Sequence, residues 1–224
     1  DQLSGVCVKL LYGVIWDCDI ITRAVEVINR GNASVTLRRV MSAELDFPRR
    51  PMDMIHFYGR HSMERLTERQ PLRHGIQSVE SKRGISSHQA QPFVALTTQN
   101  ITETTGEVYA MHFVYSGNFI AQTERTQFDY VRMVMGIHAD DFCWRLYPGE
   151  KFQAPEVIMT YSDSGLGKMT RSLHDFYREH LIRSPYKYKM RPVLINNWEA
   201  TYFEFNTEKL LDIAREAKKN GIEM

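Results

Sequence analysis

Nothing in these 224 residues has the spacing of a metal site, a disulfide framework or a membrane span. The histidines form no HxH or HExxH pair, so neither a metal nor a cofactor is expected. Cysteine is scarce. Cys7, Cys18 and Cys143 give no CxxC pair and no even set, and read as reduced thiols in strands of a cytoplasmic protein. No apolar run approaches the ~20 residues that a bilayer requires, so no membrane partner is expected. An excess of charge is missing too: 28 basic against 27 acidic residues leave +1, which argues against a nucleic-acid partner. Doublets such as Arg49-Arg50 and Lys218-Lys219 read as solvated faces. Ser86-Ser87-His88 lacks the flanking glycines of a nucleophile elbow, and Asp140-Asp141 reads as a turn rather than a carboxylate pair.

What is present is β texture, from Val6 to about Tyr161. Val6–Tyr12 is rich in β formers. Ile20–Ile28 and Val35–Val40 alternate apolar and polar residues across Asn29-Arg30-Gly31-Asn32, the pattern of an antiparallel hairpin with one wet face. Further strands are expected at Phe93–Leu96, Val108–Tyr115, Phe119–Glu124, Tyr130–Met135 and Glu156–Tyr161. Many short strands with polar turns between them predict a mainly β fold, an antiparallel β-sandwich over residues 1–162. Trp16 and Trp144, with Tyr109 and Phe113, are expected in its core.

The period changes after Ser162. Met169, Leu173, Phe176, Tyr177 and Leu181 recur at helical spacing, which makes 163–185 a linker helix ended by Ser184-Pro185. Residues 190–224 then read as the truncated first unit of a (β/α)8 barrel. Val193–Ile195 is a short buried parallel strand that carries Asn196, Asn197, Trp198 and Glu199 at its carboxyl end. A helix follows, with Asn206 as N-cap, Glu208 in its first turn, a stripe of Leu210, Leu211, Ala214 and Ala217, and Gly221 as its left-handed stop. Ile222-Glu223-Met224 resembles the start of a second barrel strand. With no partner strands on either side, the stretch from Val193 to Met224 is expected to dock loosely on the sandwich or to fray.

Arg191-Pro192-Val193-Leu194-Ile195-Asn196-Asn197-Trp198-Glu199-Ala200-Thr201-Tyr202-Phe203 is similar, almost residue for residue, to the first barrel strand of glycoside hydrolase family 36, the bacterial α-galactosidases or melibiases. Gly75–Gly84, Val114–Phe119 and Pro148-Gly149-Glu150 add weaker agreement. The resemblance implies an N-terminal β-supersandwich joined to a catalytic barrel. It also implies a retaining hydrolysis of terminal α-galactosyl residues from melibiose- or raffinose-type sugars, with no cofactor. Retention uses two carboxyl groups about 5–5.5 Å apart. In the family both are aspartates of later barrel strands, expected beyond Met224, so this chain by itself is expected to be inactive.

Substrate-binding candidates follow from the same resemblance. Trp198 matches a tryptophan that lines the galactose pocket, and the alternative for it is an indole closing the barrel mouth. His61, in Gly59–Arg65, stands where other members carry tryptophan, in a loop that caps a neighbouring site in homotetramers; the alternative is a solvated side chain. Strand alternation lets at most one of Asn196 and Asn197 face a sugar, and Asn197 is taken as the contact. Glu199 and Asn196 are read as supporting residues around Trp198. A non-catalytic carbohydrate-binding or scaffold sandwich is the rival reading.

Overall fold

A computed structural model describes residue 1 and residues 3–224, and the chain divides into two compact units, Asp1–Tyr177 and Arg178–Met224. The first unit is built of antiparallel strands: β1 (Val6–Ile15), β2 (Ile20–Asn29), β3 (Val35–Leu37), β4 (Met41–Phe47), β5 (Asp53–Arg60), β6 (Met63–Pro71) and β7 (Gly75–Ser81). They continue as β8 (Phe93–Thr97), β9 (Val108–Phe113), β10 (Phe119–Arg125), β11 (Val131–Ile137), β12 (Trp144–Leu146), β13 (Lys151–Gln153) and β14 (Val157–Ser162). A large sheet runs β1-β2-β14-β9-β8-β5-β6, with β13 also paired to β2. A second sheet, β10-β11-β4, faces it, and β7 lies beside β10, where Thr123 Oγ1 donates to the Gln77 carbonyl at 3.4 Å. The sandwich expected from the pattern is therefore present.

The sheet's central strands are buried on both faces. Every residue of Phe93–Thr97 is buried. Val94 and Leu96, with Met54, Met111, Phe113 and Val157, meet Phe119, Ala121, Met133 and Met135 of the second sheet. The alternate residues Phe93 and Ala95, with Ile20, Ile55, Val108, Ala110 and Ile158, meet Met169, Leu173 and Phe176 of helix α1 (Gly165–Phe176). Part of the expected linker is thus a layer of the first unit. Its entry depends on Gly165, whose φ of +78° is left-handed and where a Cβ would lie 2.6 Å from the Thr102 carbonyl oxygen. That close approach lets the first amides of α1 donate to loop carbonyls: Leu166 N to Thr102 O at 3.0 Å, and Gly167 N to Glu103 O at 2.9 Å. Backbone carbonyls do here what a capping side chain usually does.

The expected hairpin of Ile20–Ile28 with Val35–Val40 does not form. Both edges of β2 are occupied, by β1 from Val6 opposite Asn29 to Ile15 opposite Ile20, and by β14 and β13 on the other side. β3 pairs with β12 instead. The cause is Asn29, which is fully buried and donates from Nδ2 to the carbonyls of Ala33 (2.8 Å) and Leu146 (3.0 Å). These bonds tie the turn to β12 rather than closing it on itself. Trp16 and Trp144 are also not core residues, at 84% and 48% exposed. Trp16 follows the edge strand β1, whose outward row Val8, Leu10, Tyr12 and Val14 is exposed as well. Tyr109 and Phe113 do pack inside. Of the cysteines, none of them in a disulfide, only Cys7 lies in a strand; Cys18 is in a 3-10 turn and Cys143 precedes β12.

In the second unit Val193–Ile195 is extended but lies outside the regular strands, and it is exposed. It is not frayed. Ile195 N donates to Met224 O at 2.9 Å, and the Glu223 and Met224 amides donate to Val193 O at 3.0 and 3.1 Å. The partner judged missing is the chain's own last residues, which return parallel to it. Helix α2 (Trp198–Thr201) and helix α3 (Thr207–Lys219) lie between them. Asn206 caps α3 as expected, its Oδ1 accepting from Lys209 N at 2.9 Å, and Gly221 ends the turn at φ +76°. The half-buried positions of α3 are Leu210, Ile213 and Ala217, so Ile213 replaces Leu211 and Ala214 in the expected stripe.

Two outcomes test the outer layer. Leu173→Ala removes a side chain from the α1 face and should cost about 3 kcal/mol in urea unfolding. His112 of β9 lies beneath the end of α1 against the Tyr177 hydroxyl, and burial, reinforced by the nearby Arg65 charge, pushes its pKa down to about 4. The unfolded imidazole titrates near 6.5, roughly. Between those values the unfolded chain binds more protons, so stability should fall as pH drops from about 6.5 towards about 4, by on the order of 1 kcal/mol per unit. His112→Gln should flatten that stretch in urea midpoints measured across it.

Candidate functional site

The residues singled out in the sequence fall at two places, one in each unit. In the second, the chain leaves Ile195 and turns at once into α2. Asn196 Oδ1 accepts from Trp198 N at 2.8 Å, satisfying the first free amide of the helix. Asn197 is half-buried while Asn196 is exposed, and Asn197 is already in the helical region at the start of α2. The Asn197 amide nitrogen donates to Thr201 Oγ1 at 3.0 Å, and that hydroxyl returns a bond to the Asn197 carbonyl at 3.1 Å. Thr201 is buried, and the pair anchors the turn.

On that anchored turn Trp198 is 46% exposed. Tyr202 and Phe203 meet its indole edge to face, at centroid distances of 5.5 and 5.0 Å. Tyr202 adopts φ +46°, a left-handed conformation that a bulky residue rarely takes. Its hydroxyl donates to Glu199 Oε2 at 2.9 Å, so Glu199 holds the ring that abuts the indole. The contacts therefore run from Glu199 to Tyr202 to Trp198. Tyr202 and Phe203 were not singled out beforehand, because adjacent aromatics after a strand read equally well as packing residues.

The second place is the tip of the β5–β6 hairpin in the first unit. His61 and Ser62 form the turn, with Ser62 at φ +62°. Gly59 makes room for it, since a Cβ there would sit 2.3 Å from the Met63 carbonyl oxygen, and the register shifts at this point. His61 lines an open groove of about 600 Å³ with Tyr58, Arg60, Arg83 and His88. The loop carrying Ser87 and His88 is held there by the Tyr58–Ala90 bridge and by Gln89 Nε2 donating to the Tyr58 hydroxyl at 3.3 Å. Glu64 is kept below the usual carboxylate range by the Ser62 amide, which donates to Oε1 at 2.8 Å, then by its own amide and the nearby His88 and His61. His88 is therefore a neighbour of His61. No local spacing announces this, because the two lie on separate loops. Asp140-Asp141 forms a turn, as expected, with Asp141 at φ +61°.

The described residues thus form a β-sandwich and a separate unit that opens a parallel β/α arrangement, with a solvent-facing indole after its first segment. Comparison with known families makes this specific. Residues 1–147 match the glycosyl hydrolase family 36 N-terminal domain, and residues 151–224 match the melibiase model. The chain belongs to glycosyl hydrolase family 36. It is 49% identical over all 224 residues to α-galactosidase AgaA of Geobacillus stearothermophilus, of which it covers 31%. A crystal structure of an AgaA variant in complex with raffinose superposes with a TM-score of 0.94, over 100% of this chain and 31% of that one. The galactosidase domain of the α-galactosidase–sucrose kinase AgaSK superposes with a TM-score of 0.95 at 45% identity, again over 100% of this chain and 31% of that one. The chain thus spans about a third of the length of these relatives.

Proposed function

We propose that this chain provides the sandwich and the first barrel unit of a retaining α-galactosidase that acts on raffinose-type oligosaccharides. The observation that carries this reading is the full-length likeness to an α-galactosidase crystallised with raffinose, joined to the indole that Glu199, Tyr202 and Phe203 position at the end of the first barrel segment. In this reading Trp198 packs a face against the galactosyl ring. An indole suits the apolar face of a pyranose and leaves the sugar hydroxyls to polar neighbours. Asn197 is the inward-facing amide of its pair and contributes a hydrogen bond to a hydroxyl. Asn196 and Glu199 act through others, by capping α2 and by fixing Tyr202. The nucleophile and the acid/base are a pair of aspartates supplied by later barrel strands.

The His61 groove serves the distal part of the oligosaccharide. Imidazoles, guanidinium groups and Tyr58 offer hydrogen-bond donors, but no indole stacks there. The working enzyme is a cytoplasmic homo-oligomer in which this tip approaches the site of a neighbouring copy.

Trp198→Ala in the full-length polypeptide should raise KM for raffinose about tenfold, in line with the loss of roughly 1.4 kcal/mol of contact. The 224-residue chain assayed alone should release no p-nitrophenol from p-nitrophenyl α-galactoside. Turnover by the chain alone would refute the division of labour proposed here. A full-length polypeptide that binds raffinose without cleaving it would favour a binding module instead.

A further inference from the structure

A second cavity, separate from both places above, opens between the large sheet and the end of α1, with a volume of about 260 Å³. Its apolar floor is Phe57 and Phe93, stacked at 5.0 Å and 29°, and Leu173 of α1 forms a wall. The polar groups that line it are Arg65, Gln91, His112, Thr170, His174 and Tyr177. No acidic residue lines it.

Arg65 is placed there by the backbone. It follows the register shift of the β5–β6 hairpin and adopts φ +56°, a left-handed conformation that is costly for a residue with a Cβ. Such bulges re-aim a side chain, and here the guanidinium is carried over the Phe57 ring, 5.1 Å from its centroid. Its charge reaches both groups: it adds to the burial that lowers the His112 pKa and partly opposes the burial that raises that of Tyr177. Among the described residues the guanidinium meets an aromatic face and no carboxylate at this cavity. A planar fork of donors above an apolar slot, with neutral polar groups opposite, is complementary to a flat anion attached to an apolar body.

We propose that this cavity binds a small carboxylate with an apolar body, the carboxylate paired with Arg65 and the body lying on Phe57 and Phe93. A ring carboxylate the size of benzoate fits the volume and the chemistry.

The test is isothermal titration of the 224-residue chain with benzoate, with benzamide as the neutral isostere and inorganic phosphate as the non-carboxylate anion. Benzoate should bind, and benzamide and phosphate should bind at least about tenfold more weakly. Arg65→Gln should weaken benzoate about tenfold or more, and Arg65→Lys should restore part of the affinity. Equal binding of benzoate and benzamide would overturn the charge pairing. Preference for phosphate would overturn the carboxylate assignment, and no benzoate binding at all would overturn the site. The solvent-exposed edge position of Arg65 makes loss of folding a poor explanation for these outcomes, and an unchanged urea midpoint in Arg65→Gln verifies that the fold is intact.

Discussion

The structure of the first unit rests on the burial of its central strands on both faces. A strand such as Phe93–Thr97, with every side chain buried, cannot leave either face to water, so the sheet must be covered twice. The β10-β11-β4 sheet covers one face and α1 the other. Much else follows from the second cover. Gly165 must be left-handed so that α1 can start against the loop carbonyls, and Met169, Leu173 and Phe176 must recur at helical spacing to meet alternate residues of the strands. His112 loses water under the same helix. Catalytic or not, the unit is stabilised chiefly by apolar area removed from water in two layers.

The two candidate places are built by opposite means. Around Trp198 the scaffold is local: the Asn196 cap, the Asn197–Thr201 pair and the Glu199–Tyr202 bond all span four residues or fewer. The β5–β6 tip is assembled from distant segments, since His61 and His88 meet only because the loop after β7 folds against Tyr58. Local scaffolding survives in a short segment, whereas assembly from distant segments requires the whole sandwich.

This difference explains what could be read in advance. Alternation located β8, β9, β10, β11 and β14, because one-sided or complete burial leaves a strong pattern. It missed β4, β5 and β7, as well as β6, whose nine residues are all exposed and mostly polar, and the short β12 and β13, which carry too few residues for any period. It mispaired β2 with β3, because turn chemistry at Asn29–Asn32 is identical whether the turn closes a hairpin or is tied by Asn29 to β12. Exposed Trp16 and Trp144 were misread for a related reason: residue type predicts a preference for the interior, but not which strand lies at the edge.

By itself the sequence determined the sandwich class, the presence of two long helices with the caps of the second, and the family, since these depend on side-chain periodicity and on one contiguous run, Arg191–Phe203. Only tertiary structure decided that α1 is a layer of the sandwich, that Val193–Ile195 bonds to the chain's last residues, and that His61 and His88 share a groove. It alone places Arg65 over Phe57 beside His112. Each of these rests on contact between residues far apart in the chain, and a backbone's long-range pairing is set by which faces remain to be buried, a quantity that no local window of sequence contains.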